Sequence, residues 1–317
     1  MYLGIDTSNY KTSIALIDES SKVIYERSEL LEVKEGRLGL RQSEAFYQHS
    51  MRMPGYIRES IEHAGTSEIK AIAYSAWPRR RQGSYMPCFN AGINAAKILS
   101  SSLRVPAYPV SHQEGHAAAV IPDDENDRTL FMHLSGGTSE FLVINPGDTS
   151  FEARIAGGTK DISFGQLLDR AGVAMGYPFP AGKPMDDLCI SQLTDSASTD
   201  FVFPRIIIDN GYFNLSGAET KLLKYIEKNN INSKATDTAQ PLIAGMFKYI
   251  ADILIKSAEF LLDKYGLNTA YMAGGVASSM YIRQIINNCD IDIKFGDPVL
   301  SGDNAVGVAR LARRMNK

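Results

Sequence analysis

Two histidines stand four positions apart in His112-Gln-Glu-Gly-His116, in a chain that holds five in all. On a helix that spacing puts both imidazoles on one face, where they could bind a single cation. The same pair could instead cap a helix end or pack against a neighbour, and spacing alone leaves both readings open. Glu114 occupies the third place of the segment. It therefore points away from the histidine face, a poor position for the general base of a His-Glu-x-x-His hydrolase. A third metal ligand must come from elsewhere, and an acid at the mouth of a loop is the natural source. Gly115 lets a ligand or another backbone approach closely.

A second group of residues suits phosphate. The turn Ser135-Gly136-Gly137-Thr138 could cradle an anion on its backbone amides, although a tight hairpin needs glycine anyway. Gly157-Gly158-Thr159, Gly182, Gly274-Gly275 and Gly302 recur at other predicted turns. Asp161, Asp169 and Asp186 surround the glycine-rich stretch. Asp169 and Asp186 could address ribose hydroxyls, or all three could be plain solvated carboxylates. Arg79-Arg80-Arg81 follows Trp77-Pro78 and reads as a basic loop, either for polynucleotide phosphate or for solvent.

The elements that must position these groups are legible in outline. Tyr2–Asp6 and Ser13–Ile17 flank a polar turn and read as a hairpin, and Thr129–Ile144 repeats that layout around the Ser135–Thr138 turn. Ser43–Ala64 reads as a helix broken at Pro54, Ile69–Tyr74 as a strand, Asn90–Leu103 as a helix and Val105–Val110 as a strand. Arg154–Met185 shows little strand character. Asp237–Lys264 is the longest helical stretch, with Pro241 in its first turn. Tyr271–Ala273 leads into the glycine turn Gly274-Gly275, Met280–Ile286 reads as a helix, and a last helix runs to Lys317 with Asp303 at or beside its N-cap. Strands alternating with helices predict an α/β fold. The 317 residues, 44% hydrophobic, suffice for two lobes with real cores.

A net charge of -3 gives no global attraction to nucleic acid. The widely spaced Cys88, Cys189 and Cys289 predict free thiols in a reducing compartment. No apolar run approaches the roughly 18 residues of a membrane span, and the expected location is cytoplasmic.

Taken in order, Gly4-Ile-Asp-Thr-Ser8, Val110-Ser-His-Gln-Glu-Gly-His116, Leu134-Ser-Gly-Gly-Thr138, Thr159 to Arg170, Tyr177-Pro-Phe-Pro-Ala-Gly182, Leu215-Ser-Gly217, Gly274-Gly-Val-Ala277 and Gly302-Asp-Asn304 resemble the threonylcarbamoyl-adenosine tRNA synthase family. The likeness runs from about residue 1 to 312. It implies a two-lobed actin-like ATPase (ribonuclease H-like) fold with a duplicated core and a nucleotide cleft between lobes. Residues 1–110, closed by the helix 303–317, would form the first lobe and 111–302 the second. By the same resemblance His112, His116 and Asp303 would hold one divalent metal ion, iron or zinc. Leu134, Ser135, Gly136, Gly137 and Thr138 would lie beside the phosphate of an adenylate or ATP-type ligand. Asp169, Gly182 and Asp186 would lie around its ribose, and Gly275 and Ser279 in the adenosine loop. Asp161 would be a catalytic residue orienting the acceptor amine or a lysine.

The implied reaction moves a threonylcarbamoyl group from threonylcarbamoyl-AMP to N6 of adenosine in tRNA. A homologous protein partner could bind through the N-terminal lobe, around Ser43–Ala64. Departures from the family pattern fall on the substrate side. Lys11 replaces a glutamate in the first turn, Ile162 an aspartate, Gln166 a glutamate and Ser279 an asparagine. Ser216-Gly-Ala-Glu219 stands for Ser-Gly-Leu-Lys, and Trp77 to Pro87 replaces Gly-Pro-Gly-Leu. Three alternatives stay open: a carbamoyl transferase with another acceptor, a non-catalytic scaffold paralogue, and an ATP-dependent kinase in which Asp6 faces the phosphates.

Overall fold

The computed structural model of the protein describes residues 1–8, 10–33, 40–65, 68–79, 83–125, 127–147, 151–191, 199–296 and 304–316. Two compact units emerge. The first comprises Met1–Asp127, Asn145–Ala153 and Asp303–Lys317, the second Arg128–Ile144 and Arg154–Gly302. Residues 111–127 thus fall in the first unit.

In the first unit β1 (Tyr2–Asp6) and β2 (Lys11–Ile17) form an antiparallel hairpin in which Tyr2 faces Ile17 and Asp6 faces Ser13. The polar turn between them delivers Asp6 to one end of the sheet. Outside the hairpin lies antiparallel β3 (Val23–Leu30), and on the other side β4 (Ala71–Trp77) and β5 (Ala107–Ser111) continue in parallel, giving the order β3-β2-β1-β4-β5. Every residue of β1 is buried, as befits a central strand covered on both faces. Helices α1 (Gln42–Ala64) and α2 (Asn90–Leu103), and the last helix α9 (Val306–Met315), pack on this sheet. Helix α3 (His112–Val120) follows β5 directly and packs on α9.

The second unit repeats the plan. Its sheet, ordered β11-β10-β6-β7-β8-β9, joins β6 (Thr129–Leu134), β7 (Ser139–Pro146), β8 (Phe151–Thr159), β9 (Tyr212–Phe213), β10 (Ala270–Ala273) and β11 (Ile293–Phe295). Counted outward, β8-β7-β6-β10-β11 reproduces β3-β2-β1-β4-β5, with an antiparallel hairpin at its centre and two parallel strands to one side. The duplication seen in the two hairpins therefore extends to a whole sheet. Its helices are α4 (Phe164–Ala174), α5 (Gly182–Ser191), α6 (Ser216–Lys228), α7 (Thr236–Tyr265) and α8 (Met280–Asn287). Helix α7 supplies much of the apolar core, including Leu242, Met246, Phe247, Ile250, Leu254 and Leu261.

Four local expectations change. Helix α1 runs unbroken through Pro54. That residue is exposed, so water can take the carbonyl that its missing N–H leaves unpaired. Helix α7 begins at Thr236, which puts Pro241 beyond the first turn. Strand β3 went unread because its pattern is polar and half-buried, as on an edge. Strand β8 runs into the stretch read as lacking strand character.

His49 on α1 is fully buried. Its Nδ1 lies 2.9 Å from Thr12 Oγ1, and its Nε2 has no hydrogen-bond partner among the described residues. Burial, with a smaller contribution from Arg52 and against the pull of Asp6, lowers its pKa from 6.5 to about 4. The unfolded chain therefore takes up a proton that the folded chain refuses. This part of the stability is present above pH 6.5 and is lost as the pH falls toward 4. The shift corresponds to roughly 3 kcal/mol. Thermal melts of the wild type and of His49→Gln should accordingly converge or cross as the pH falls through this window; parallel curves would remove His49 as their source.

Candidate functional site

Helix α3 is started by its own sequence. The Ser111 hydroxyl accepts from Glu114 N at 3.1 Å, and Glu114 Oε2 accepts from Ser111 N at 2.8 Å, a reciprocal capping box. Glu114 is thus buried and turned back onto the helix start, as its place in the motif suggested. The helix sets His112 and His116 side by side, their Nε2 atoms 3.0 Å apart. Asp6 orients the first of them: its Oδ2 lies 2.8 Å from His112 Nδ1, while its Oδ1 accepts from Ser8 N at 2.9 Å. A buried carboxylate can only accept, so the proton belongs on Nδ1 and the His112 Nε2 lone pair faces His116. Ser8 Oγ stands 3.4 Å from the same nitrogen. Two imidazole nitrogens converging, with a carboxylate behind one of them, are a donor set suited to iron or zinc. Asp303 lies outside the described residues.

Helix α3 is held from behind by α9. A Cβ on Gly115 would come within 2.9 Å of Val308 Cγ2, and one on Gly307 within 1.9 Å of the Gly115 carbonyl oxygen. Arg310 donates to the carbonyls of Ala118 and Ala119 at the far end of α3, where a cation also suits the helix dipole.

In the second unit the glycine turns gather at the C-terminal ends of the parallel strands β6 and β10, where ligands sit in open α/β sheets. The turn after β6 is closed by Ser135 N donating to the Thr138 carbonyl at 2.8 Å, and Thr138 N donates to Ser135 Oγ at 3.1 Å. The turn after β10 bonds to it: Val276 N donates to the Leu134 carbonyl at 2.9 Å. Gly274 (φ +107°) lies so close to that carbonyl that a Cβ would stand 2.3 Å from its oxygen. By contrast a Cβ on Gly136, Gly137, Gly182 or Gly275 would meet nothing within 4 Å. Those glycines line open space, as a ligand-facing loop requires.

The aspartates divide by role. Asp186 accepts from Ser279 Oγ at 2.6 Å, Met280 N at 2.9 Å and Tyr281 N at 3.0 Å. The two residues read separately for ribose and adenosine thus meet at the start of α8. Asp169 accepts from Ala181 N at 2.8 Å, just ahead of Gly182. Burial raises its pKa against the pull of the Ala181 and Gly182 amides. Both oxygens of Asp161 are occupied: Oδ1 by Ile162 N and Leu215 N, Oδ2 by Ser216 N and Asn214 Nδ2. Burial alone would raise its pKa, but these donors outweigh it and bring it to about 2. That is the arrangement of a helix cap for α6. Asp161→Ala should cost about 1–2 kcal/mol in urea unfolding, with Asp161→Asn recovering part of it; an unchanged midpoint would refute the capping role.

Sequence reading missed two site residues. Asp6 entered only as a phosphate-facing acid, because nothing local links it to a histidine 106 positions away. Ser163 had a usable signal, the Ser-x-x-Gln pattern of a capping box completed by Gln166. Its hydroxyl also donates to the Gly136 carbonyl at 2.6 Å.

The family described as tRNA N6-adenosine threonylcarbamoyltransferase matches residues 26–310. Proteins of that description from Chlamydia muridarum and Sulfurihydrogenibium sp. are 26% and 29% identical to the chain, covering 99% and 97% of it and 92% and 88% of their own lengths. Among solved structures, HypF from T. kodakarensis matches with TM-score 0.60 at 12% identity, over 98% of this chain and 47% of that one. A ROK family glucokinase from Streptomyces griseus matches with TM-score 0.53 at 12% identity, over 98% and 99%. The activator of 2-hydroxyisocaproyl-CoA dehydratase from Clostridium difficile matches with TM-score 0.53 at 14% identity, over 100% and 96%. Likeness at these identities shows the fold alone, that of actin-like ATPases and sugar kinases.

Proposed function

Because the chain belongs to the tRNA N6-adenosine threonylcarbamoyltransferase family, it is a transferase, and we propose that it moves a threonylcarbamoyl group from threonylcarbamoyl-AMP to N6 of a tRNA adenosine, assisted by iron or zinc. The observation that carries the metal is the convergence of His112 Nε2 and His116 Nε2 at 3.0 Å, with Asp6 holding the far side of His112. Bound there, a divalent ion would supply positive charge for the phosphate side of the adenylate. Asp303 is proposed as its third ligand.

The chain's own residues do the rest. In the transfer a C–N bond forms from N6 to the carbamoyl carbon, the C–O bond to phosphate breaks, AMP leaves, and the amine gives up one proton. No covalent enzyme intermediate is needed. Exposed amides at Gly136 and Gly137 would receive the phosphate, and Leu134, Ser135 and Thr138 would shape that turn. Gly182 and Gly275 would leave room for the nucleoside, with Asp169, Asp186 and Ser279 setting the loops around it. Asp161 is given the capping role described above and no chemical step. With tRNA as acceptor the protein would work in the cytoplasm, and no described helix is long and apolar enough to cross a membrane. A homologous partner is proposed at α1, whose outer face exposes Tyr47 and Met51.

The test incubates purified protein with threonylcarbamoyl-AMP and unmodified tRNA, and measures the modified nucleoside by mass spectrometry. Modified adenosine at residue-specific yield is expected. Adenylate binding without transfer would move the chemistry to another acceptor. Failure to bind metal or adenylate would favour a scaffold.

A further inference from the structure

We propose that Ser163 is a positioning residue for this reaction, a latch that fixes the Gly136–Gly137 peptide with its N–H turned outward to receive phosphate. The inference rests on the adenylate reading above. In a trans peptide the C=O and the following N–H point in opposite directions, and the one cis bond described is Phe179–Pro180. The Gly136 carbonyl is engaged by the Ser163 hydroxyl at 2.6 Å. The Gly137 N–H therefore points away from α4, and a Cβ built on either glycine meets nothing within 4 Å. Both glycines are exposed. Neither amide has a hydrogen-bond partner among the described residues.

A Gly-Gly peptide turns over at little cost, since glycine accepts either sign of φ. Turned over, it would present a carbonyl oxygen to the anion instead of a donor. Ser163 opposes that rotation from a rigid base. Its Oγ accepts from Gln166 N at 3.1 Å as the N-cap of α4, and Gln166 Oε1 accepts from Ser163 N at 3.1 Å. The helix start lies directly on the loop: a Cβ on Gly165 would stand 2.4 Å from Gly136 Cα and 2.7 Å from the Ser135 carbonyl oxygen. On the other side Phe164 N donates to Ser139 Oγ at 2.9 Å. The first turn of α4 carries no acid, because glutamine rather than glutamate closes the capping box. The positive end of the helix dipole thus reaches the loop unneutralised.

Ser163→Gly separates the two duties of the hydroxyl. Glycine is a tolerable N-cap, and it removes the donor to Gly136 without adding charge. Calorimetric titration with AMP and with adenosine, on the full chain, reads the phosphate contact separately from the nucleoside contact. The expected result is a loss of about tenfold in AMP affinity, unchanged adenosine affinity, a melting temperature close to wild type, and recovery in Ser163→Thr. Equal AMP affinity in wild type and Ser163→Gly would overturn the latch alone. A parallel loss of adenosine binding would also overturn it, since the residue would then be supporting the whole loop. A wild type that binds AMP no better than adenosine would overturn the phosphate reading itself, and the latch with it.

Discussion

Protein carrying both His112→Ala and His116→Ala is expected to purify without stoichiometric iron or zinc and to lose threonylcarbamoyl transfer by at least a factor of about a hundred. The magnitude follows from charge: stabilising a departing phosphate with a divalent ion is worth several kcal/mol, and each 1.36 kcal/mol is tenfold in rate. The fold should survive, because His112 is partly exposed and the capping box of α3 lies in Ser111 and Glu114. Near-native circular dichroism with absent metal and absent transfer is the expected combination. Asp6→Asn gives the graded version. It keeps an oxygen for Ser8 N yet loses the charge behind His112, and loss of such a partner weakens metal binding about 10–100-fold. Full metal content and full activity in the double mutant would dismiss the histidine pair as packing.

The largest stability effect is expected from Gly307→Val. The first carbon added there would lie 1.9 Å from the Gly115 carbonyl oxygen and 2.7 Å from Ala119 N. Both are backbone atoms, so α3 and α9 would have to separate. Gly4 shows the same closeness on the other side of α9, its Cβ 2.3 Å from the Ala305 carbonyl oxygen and 2.4 Å from Ala309 N. The helix is wedged between two backbones and cannot shift to relieve either. A cost of about 4 kcal/mol or more is expected, read as a melting temperature lower by roughly 10 °C, or as insoluble protein. Gly217→Ala is the control. That glycine is exposed near the start of α6 with nothing within 4 Å of its Cβ, and alanine there should stabilise by up to about 1 kcal/mol. Equal melting of Gly307→Val and wild type would show that α9 packs differently.

What could be read before the fold was known followed from local chemistry. The hairpin β1–β2 announced itself by apolar runs around a polar turn, and α2 by amphipathic spacing with ends placed as found. The histidine pair was legible because four residues along a helix is a local relation. Its orienting group was not, since the Asp6–His112 contact exists only after β1 and β5 have joined one sheet. Strand β3 hid for a different reason. Its Arg27 pairs on the surface with Glu29 of the same strand and with Glu59 of α1, so no apolar alternation marks it. The capping partners of Asp161 were equally illegible, because they lie 53 to 55 positions onward at the start of α6. The Ser163 contact with Gly136 was equally out of reach, being a side chain to a backbone carbonyl 27 positions away.

The first unit is stitched from chain segments far apart, with Asp303–Lys317 completing what Met1–Asp127 begins. During synthesis this has a direct temporal meaning. A nascent chain that has emerged through residue 302 already contains all of the second unit, which can fold on the ribosome. The helix bearing His112 and His116 must wait, because the α9 wedge that backs it has yet to be made. Such long-range closure is slow and leaves apolar surface uncovered meanwhile. The second unit should therefore acquire protease resistance first, and the segment carrying His112 and His116 should gain its own only when the last helix has left the exit tunnel.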